Sequence, residues 1–304
     1  MSVAKYINPI RATRGEKIFY RVNHIFMLIL CTITLYPMLY VIFASLSDPN
    51  EFAMVQGLLL KPAGFSTIGY RFVFRMSTIW LGYRNTLIYV FAGSAISMAL
   101  TILAAFMLSR REFMLKKLSI GLIVFTMYFG GGMIPTFLVV SQLGLTKTIW
   151  GVMLPGALSV YNTIVLRTSF NAIPPALEES ARIDGAGDMR ILFNVVLPLS
   201  GAALATITLF YVVGNWGAWY NALVYLQDRR DLYPLQMFLR EMLIEDKTTD
   251  AYMNSLSGSS ANVHLIKEVT KYSVIIVSTL PILIVYPFIQ KYFVKGVMLG
   301  SIKE

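Results

Sequence analysis

The sequence predicts an all-α fold, a polytopic membrane helix bundle with six transmembrane helices. Three observations carry that prediction. The 304 residues are 56% hydrophobic with a mean hydropathy of +0.64, the apolar residues arrive in blocks, and each block is continuous rather than alternating. A bilayer core takes about 20 residues of helix, and six nearly uncharged windows reach that length: 24–46, 85–108, 118–140, 148–170, 197–219 and 272–294. Only a helix satisfies its own backbone hydrogen bonds along such a run in lipid, whereas barrel strands would alternate polar and apolar residues.

The first window follows a basic tail, residues 1–23, and no small-x-small cleavage site closes it, so it reads as a retained helix rather than a secretory signal. It holds Cys31, the one cysteine of the sequence, which leaves no internal disulfide, thiolate metal cluster or redox pair. The second window ends at a short basic loop, 109–117. Gly130-Gly131-Gly132 and Pro135 interrupt the third; close helix packing is favoured there over a hinge lining a passage. The fourth contains Tyr161 and Asn162 and carries Arg167 near one end, from which the guanidinium can snorkel. Between the fifth and sixth windows lies a long segment, 220–271. In it Leu235, Phe238, Leu239, Met242 and Leu243 recur at helical spacing and predict an amphipathic helix over 232–245, packed on the bundle or on a partner. The Ser/Asn/Gly-rich stretch 254–262 reads as a linker.

Basic residues orient the bundle. The loop 109–117 has Arg110, Arg111, Lys116 and Lys117, while the comparable loop 141–147 has only Lys147. Lys5, Arg11, Arg14, Lys17 and Arg21 precede the first window, and Lys291, Lys295 and Lys303 lie at the other end. By the positive-inside rule the tails 1–23 and 295–304 and the loop 171–196 are cytoplasmic, and segments 47–84 and 220–271 are outside. The net charge of +10 is thereby spent on topology and anionic membrane lipid, and no nucleic-acid partner is called for.

The chain offers little for chemistry of its own. It lacks G-x-x-x-x-G-K-[ST], H-E-x-x-H, G-x-S-x-G and paired-cysteine spacing, and its two histidines, His24 and His264, are far apart. No catalytic centre, metal site or bound cofactor is expected. An ion-driven carrier would keep ionisable residues at mid-membrane depth. Almost none are there, so the driving energy is expected from another subunit.

The informative stretch is the polar island Glu178-Glu179-Ser180-Ala181-Arg182-Ile183-Asp184-Gly185-Ala186, followed by Leu197-Pro198. Pro174-Pro175 open a short helix, Glu178 and Glu179 complement its positive end, and Gly185 supplies a left-handed stop. Residues 189–196 form a second short helix, and Pro198 opens the next span. Ser180, Ala181 and Ala186 are small enough for a partner to approach closely. On spacing alone, a solvated loop with a helix-capping glycine fits equally well.

Glu179-Ser180-Ala181-x-x-Asp184-Gly185-Ala186 with the later Leu197-Pro198 resembles the EAA loop of binding-protein-dependent ABC importer permeases. Supporting stretches are Arg14-Gly15-Glu16-Lys17-Ile18, Tyr36-Pro37, Gly82-Tyr83-Arg84-Asn85-Thr86, Leu232-Tyr233-Pro234-Leu235-Gln236 and Leu239-Arg240-Glu241. With them nearly the whole chain is similar to carbohydrate permeases of the maltose-system type, in the LplC/YtcP-like branch. Ser180 departs from the motif, standing where alanine is usual.

The resemblance implies a MetI-like permease fold in a bacterial cytoplasmic membrane. It also implies a second homologous permease, two copies of an ABC ATPase that use ATP and Mg, and an extracytoplasmic solute-binding protein that delivers a carbohydrate, an oligosaccharide by preference. The ATPase-coupling residues would be Glu178, Glu179, Ser180, Ala181, Asp184, Gly185, Ala186 and Pro198, and segment 220–271 would reach toward the docked binding protein. Trp216, Trp219, Tyr220 and Asn221 are substrate-path candidates, with an interfacial aromatic belt as the competing reading. Tyr161 and Asn162 are further candidates, with an interhelical hydrogen bond as the competitor. Two alternatives stay open: a permease for a non-sugar solute, and a structural or signalling membrane subunit that uses the island to hold a non-ATPase partner.

Overall fold

The computed structural model describes residues 13–110, 112–245 and 260–298. Arg111, most of the stretch 254–262 and the outer parts of both tails lie outside them. Among the described residues the regular structure is helical, and the only β pairing is an isolated antiparallel bridge between Ser47 and Phe65.

Three continuous helices are long and apolar enough to cross a membrane: Arg14–Ser45, Ser77–Ser109 and His264–Val285. Two more segments qualify only as bent pairs. Lys116–Tyr128 and Met133–Gln142 meet at 116°, and Asp188–Leu199 and Gly201–Trp216 meet at 87°. The expected window 148–170 is not one helix; it is Ile149–Met153, a break, and Val160–Asn171. The bundle architecture stands, while the count of six continuous spans is not reproduced exactly.

Each departure has a backbone cause. At the first bend Gly132 sits at φ +85°, and no atom lies within 4 Å of where a Cβ on Gly130 or Gly132 would stand. Gly132 therefore turns the chain here, and within this chain the packing neighbour favoured by the sequence is not met at Gly130 or Gly132. In the fourth window Pro155 lacks an amide donor and Gly156 is at φ +81°, which an L-residue adopts only with strain.

Two compact units emerge from the packing. In the first, residues 1–72 with 259–276, a capping box opens Arg14–Ser45: Glu16 N–H donates to Thr13 Oγ1 (3.3 Å) and Thr13 N–H to Glu16 Oε2 (2.7 Å). Tyr40, Phe52 and Tyr272 meet edge to face at 5.7–6.4 Å between centroids.

The second unit, 73–258 with 277–304, holds the features of functional interest. One apolar cluster joins Ala105, Phe106, Leu166, Phe170, Ile191, Leu192 and Ile207. Another forms where the segment after Trp219 returns onto Ser77–Ser109. There the Asn85 amide donates to the carbonyls of Asp231 (2.8 Å) and Tyr233 (3.0 Å), Tyr89 OH to that of Leu232 (2.8 Å), and Leu235 N–H to Thr86 Oγ1 (2.8 Å). The expected amphipathic helix is regular over Leu235–Arg240 and continues as a wider π turn through Glu245. Leu235, Met237, Phe238 and Met242 are buried while Leu243 is exposed, so most of its apolar face packs on this bundle.

Candidate functional site

The polar island folds as a nine-residue helix, Pro175–Ile183. Pro175 begins it where a missing N–H costs nothing, and Gly185 at φ +78° ends it. Ala186 N–H donates to Ala181 C=O (2.9 Å) and Gly185 N–H to Arg182 C=O (3.0 Å), the paired bonds of a Schellman cap. The next helix starts at once, at Asp188, and Arg182 binds Asp188 across the turn at 2.9 Å. A helix this short has little stability of its own; the cap and its two neighbours shape it.

Its faces divide the expected residues. Ala181 and Ala186 pack against the apolar cluster that includes Phe170 and Ile191, so their small size serves the bundle. Glu179, Ser180 and Asp184 face outward, joined by apolar Ile183 and Met189, 86% and 58% exposed. Glu178 turns inward. Its two oxygens accept from Arg110 Nη1 (2.5 Å) and Nη2 (2.8 Å), with both side chains largely covered. The Arg110 guanidinium also lies 4.2 Å above the Phe106 ring. A cleft of about 380 Å³ opens beside this pair, lined in part by Ser109, Lys116, Phe170, Glu179 and Arg182. Pro198 is exposed and falls just before the 87° bend.

A second opening lies at the break in the fourth window. It is a cavity of about 420 Å³ lined by Ser97, Met153, Gly156, Phe210, Asn215 and Tyr220 among others, and none of its lining side chains is charged. Irregular backbone at membrane depth is tolerated where it lines such a cavity and not where it meets lipid. Tyr211 braces the break: its hydroxyl accepts from Ser159 N–H (3.2 Å) and shares a 2.6 Å bond with Thr101 Oγ1. Two amides on the wall have fixed orientation, Asn215 donating to Ser94 Oγ (3.0 Å) and Asn221 to Val152 C=O (3.2 Å).

Of the path candidates, Tyr220 and Asn221 line this cavity; Trp216, Trp219, Tyr161 and Asn162 do not. Trp216 is 7% exposed, edge-on to the Tyr83 ring at 6.3 Å, and its indole N–H is buried without an acceptor. Trp219 is 40% exposed with the Arg240 guanidinium 5.8 Å over its ring, while Tyr161 is exposed and Asn162 buried. Sequence reasoning missed Asn215, a lone amide in an apolar run and therefore a visible signal. It also missed the pairing of Arg110 with Glu178, for which 68 residues of separation leave no signal at all. Outside the spans, the hydrogen bond from Arg229 holds the Asp231 carboxyl below the usual carboxylate range.

Known proteins resemble this chain along most of its length. The chain is 42% identical over 281 residues, 91% of its length and 96% of the relative's, to the polygalacturonan/rhamnogalacturonan transport system permease protein YtcP of Bacillus subtilis (strain 168). It is 35% identical over 297 residues to protein LplC of the same organism, covering 98% of this chain and 99% of that one. Its fold matches, with a TM-score of 0.84 and 31% identity over 93% of this chain and 99% of the other, a chain of a bacterial ABC transporter involved in the import of the acidic polysaccharide alginate. The profile described as "binding-protein-dependent transport system inner membrane component" matches residues 97–299. The protein belongs to that family of inner-membrane transport components.

Proposed function

We propose that this chain is the translocating permease subunit of an ATP-driven importer whose cargo is an oligosaccharide. One observation carries the reading: similarity to a transport system permease protein extends over 91% of the chain. In keeping with it, the helix at the family's characteristic loop leaves its outer face uncovered. Family membership brings an ATPase and a binding protein as partners. We assign a second, homologous permease as the other half of the passage, two copies of the ATPase beneath the pair, and cytoplasmic placement of both tails. ATP hydrolysis falls to the ATPase subunits with their Mg, since this sequence has no phosphate-cradling loop.

The chemistry follows from the outer face of the island helix and from the uncharged cavity. Glu179, Ser180, Asp184, Gly185 and exposed Ile183 offer the ATPase a mixed polar and apolar ledge, in which covering Ile183 contributes about 1.5–3 kcal/mol. Closure of the ATPases pushes that ledge, and the Schellman cap keeps the helix from unwinding under the push. In the uncharged cavity, Phe210 and Tyr220 present ring faces to sugar C–H surfaces, while the held amides of Asn215 and Asn221 meet hydroxyls. The names of the relatives, with polygalacturonan, rhamnogalacturonan and alginate among them, support a saccharide cargo.

The test is reconstitution of the complete importer with its binding protein in liposomes. ATP-dependent uptake of labelled oligosaccharides cut from polygalacturonan, rhamnogalacturonan or alginate is expected. Uptake confined to a non-saccharide solute overturns the cargo assignment, and absence of any ATPase in the purified complex overturns the permease reading.

A further inference from the structure

Two openings in one unit, a cleft beside the island helix and an uncharged cavity at the broken window, are bridged by one element. The helix Ser94–Ser109 lines the cavity through Ser97 and reaches the cleft through Ser109 and Arg110.

The lower end of that helix is held by cations. Its last carbonyls would lack intrahelical donors, yet Arg167 Nε donates to Leu108 C=O (3.0 Å) and Lys116 Nζ to the carbonyls of Ser109 (3.2 Å) and Arg110 (3.1 Å). Positive charge at a helix C-terminus is favourable. Arg110 then extends the arrangement outward. Its guanidinium rests on Phe106, bonds Ser109 Oγ at 3.3 Å, and grips Glu178 with a bidentate fork. Such a fork fixes orientation as well as distance, which a lysine or a single hydrogen bond does not. Glu178 belongs to the first turn of Pro175–Ile183, on the side opposite the exposed Ile183 and Asp184. Higher on the same helix Thr101 holds Tyr211, whose hydroxyl holds Ser159 at the edge of the break.

We propose that Arg110 and Glu178 form the joint that carries displacement of the island helix into Ser94–Ser109, and through Thr101 and Tyr211 to the cavity. Arg110 is a positioning residue: it belongs neither to the proposed ATPase ledge nor to the cavity wall. The proposal rests on the permease reading, and the unmodified importer in each assay separates failure of one from failure of the other.

Contiguity alone does not establish coupling, so the test is a double-mutant cycle in the assembled, reconstituted importer. The variants are Arg110→Ala, Glu178→Ala, both together, Arg110→Lys, and the exchange Arg110→Glu with Glu178→Arg. Two quantities are read: saccharide taken up per ATP hydrolysed, and ATPase retained on the purified permease. Each alanine variant is expected to lower uptake per ATP by about tenfold, a typical coupling factor, while keeping its ATPase. The double variant should be no worse than either single one, Arg110→Lys should fall between, and the exchange should recover part of the loss. Uptake per ATP within twofold of the unmodified importer in both alanine variants overturns the joint, as do losses that multiply in the double variant. Loss of assembly in both single variants that the exchange does not repair also overturns it, since that result assigns the pair to folding alone.

Discussion

Gly185 stands at φ +78° with open space where a side chain would be. The constraint there is the backbone and not crowding, so replacements should rank by their tolerance of the left-handed region. Gly185→Ala costs about 1 kcal/mol and Gly185→Asn less, and uptake at equal importer concentration should fall in the order Gly, Asn, Ala, Val. Equal uptake by the Asn and Val variants would show that this geometry does not matter for transport. Ile183, 86% exposed, supports a second prediction. Ile183→Ala should weaken binding of the solubilised permease pair to its ATPase by about ten- to hundredfold, the equivalent of one aliphatic side chain left uncovered; a titration showing unchanged affinity removes Ile183 from the contact. Gly185 was legible in the sequence because a helix stop demands its freedom; Ile183 sits in the recognisable loop but was not among the expected coupling residues, since its exposure needed the fold. The direction of Glu178 was not legible. Two adjacent glutamates look alike on paper, and only the approach of Arg110 from a distant helix end turns one inward and leaves the other exposed.

Among elements, the fourth apolar window shows what averaging over a run conceals. Its hydropathy is that of a span, yet Pro155 and Gly156 divide it and Tyr211 braces the divided end through Ser159 N–H. Tyr211→Phe removes one hydroxyl and strands two partners, Thr101 Oγ1 and the Ser159 amide. A buried group left unpaired costs about 1–3 kcal/mol, so exchange of the Ser159 amide should quicken by about ten- to hundredfold relative to amides of Ser77–Ser109. Unchanged exchange would mean the break is held by other contacts. Windows 24–46 and 85–108 were legible because composition sets burial in lipid over one uninterrupted stretch. The bends at Gly132 and Ser200 were less so, because glycine permits a packed contact and a turn equally well, and the choice depends on neighbours distant in sequence. The amphipathic pattern over 232–245 foretold a buried face, while its seat on Asn85, Thr86 and Tyr89 needed the fold.

For the whole molecule, orientation across the bilayer is the property to measure. In a Cys31→Ser background, Ser180→Cys should react with a membrane-impermeant maleimide only from the cytoplasmic side once the ATPase is stripped, and Asp228→Cys only from the outside. The reverse pattern would invert the assignment drawn from Arg110, Lys116 and the basic tail. Both test positions are exposed in the lone chain, so a silent site reports membrane sidedness and not burial. Composition made the membrane class legible at once, since solvent preference is additive over residues, whereas the cavity depends on which few side chains converge. The residues lining the uncharged cavity and those lining the cleft form two sets with no member in common. None of Glu179, Ser180, Ile183, Asp184 and Gly185, the residues proposed to meet the ATPase, lines the cavity, so under the proposed function cargo choice and motor engagement rest on separate side chains. On that reading, substitutions around 210–221 would re-address the importer to a new nutrient while its engine fitting stays untouched.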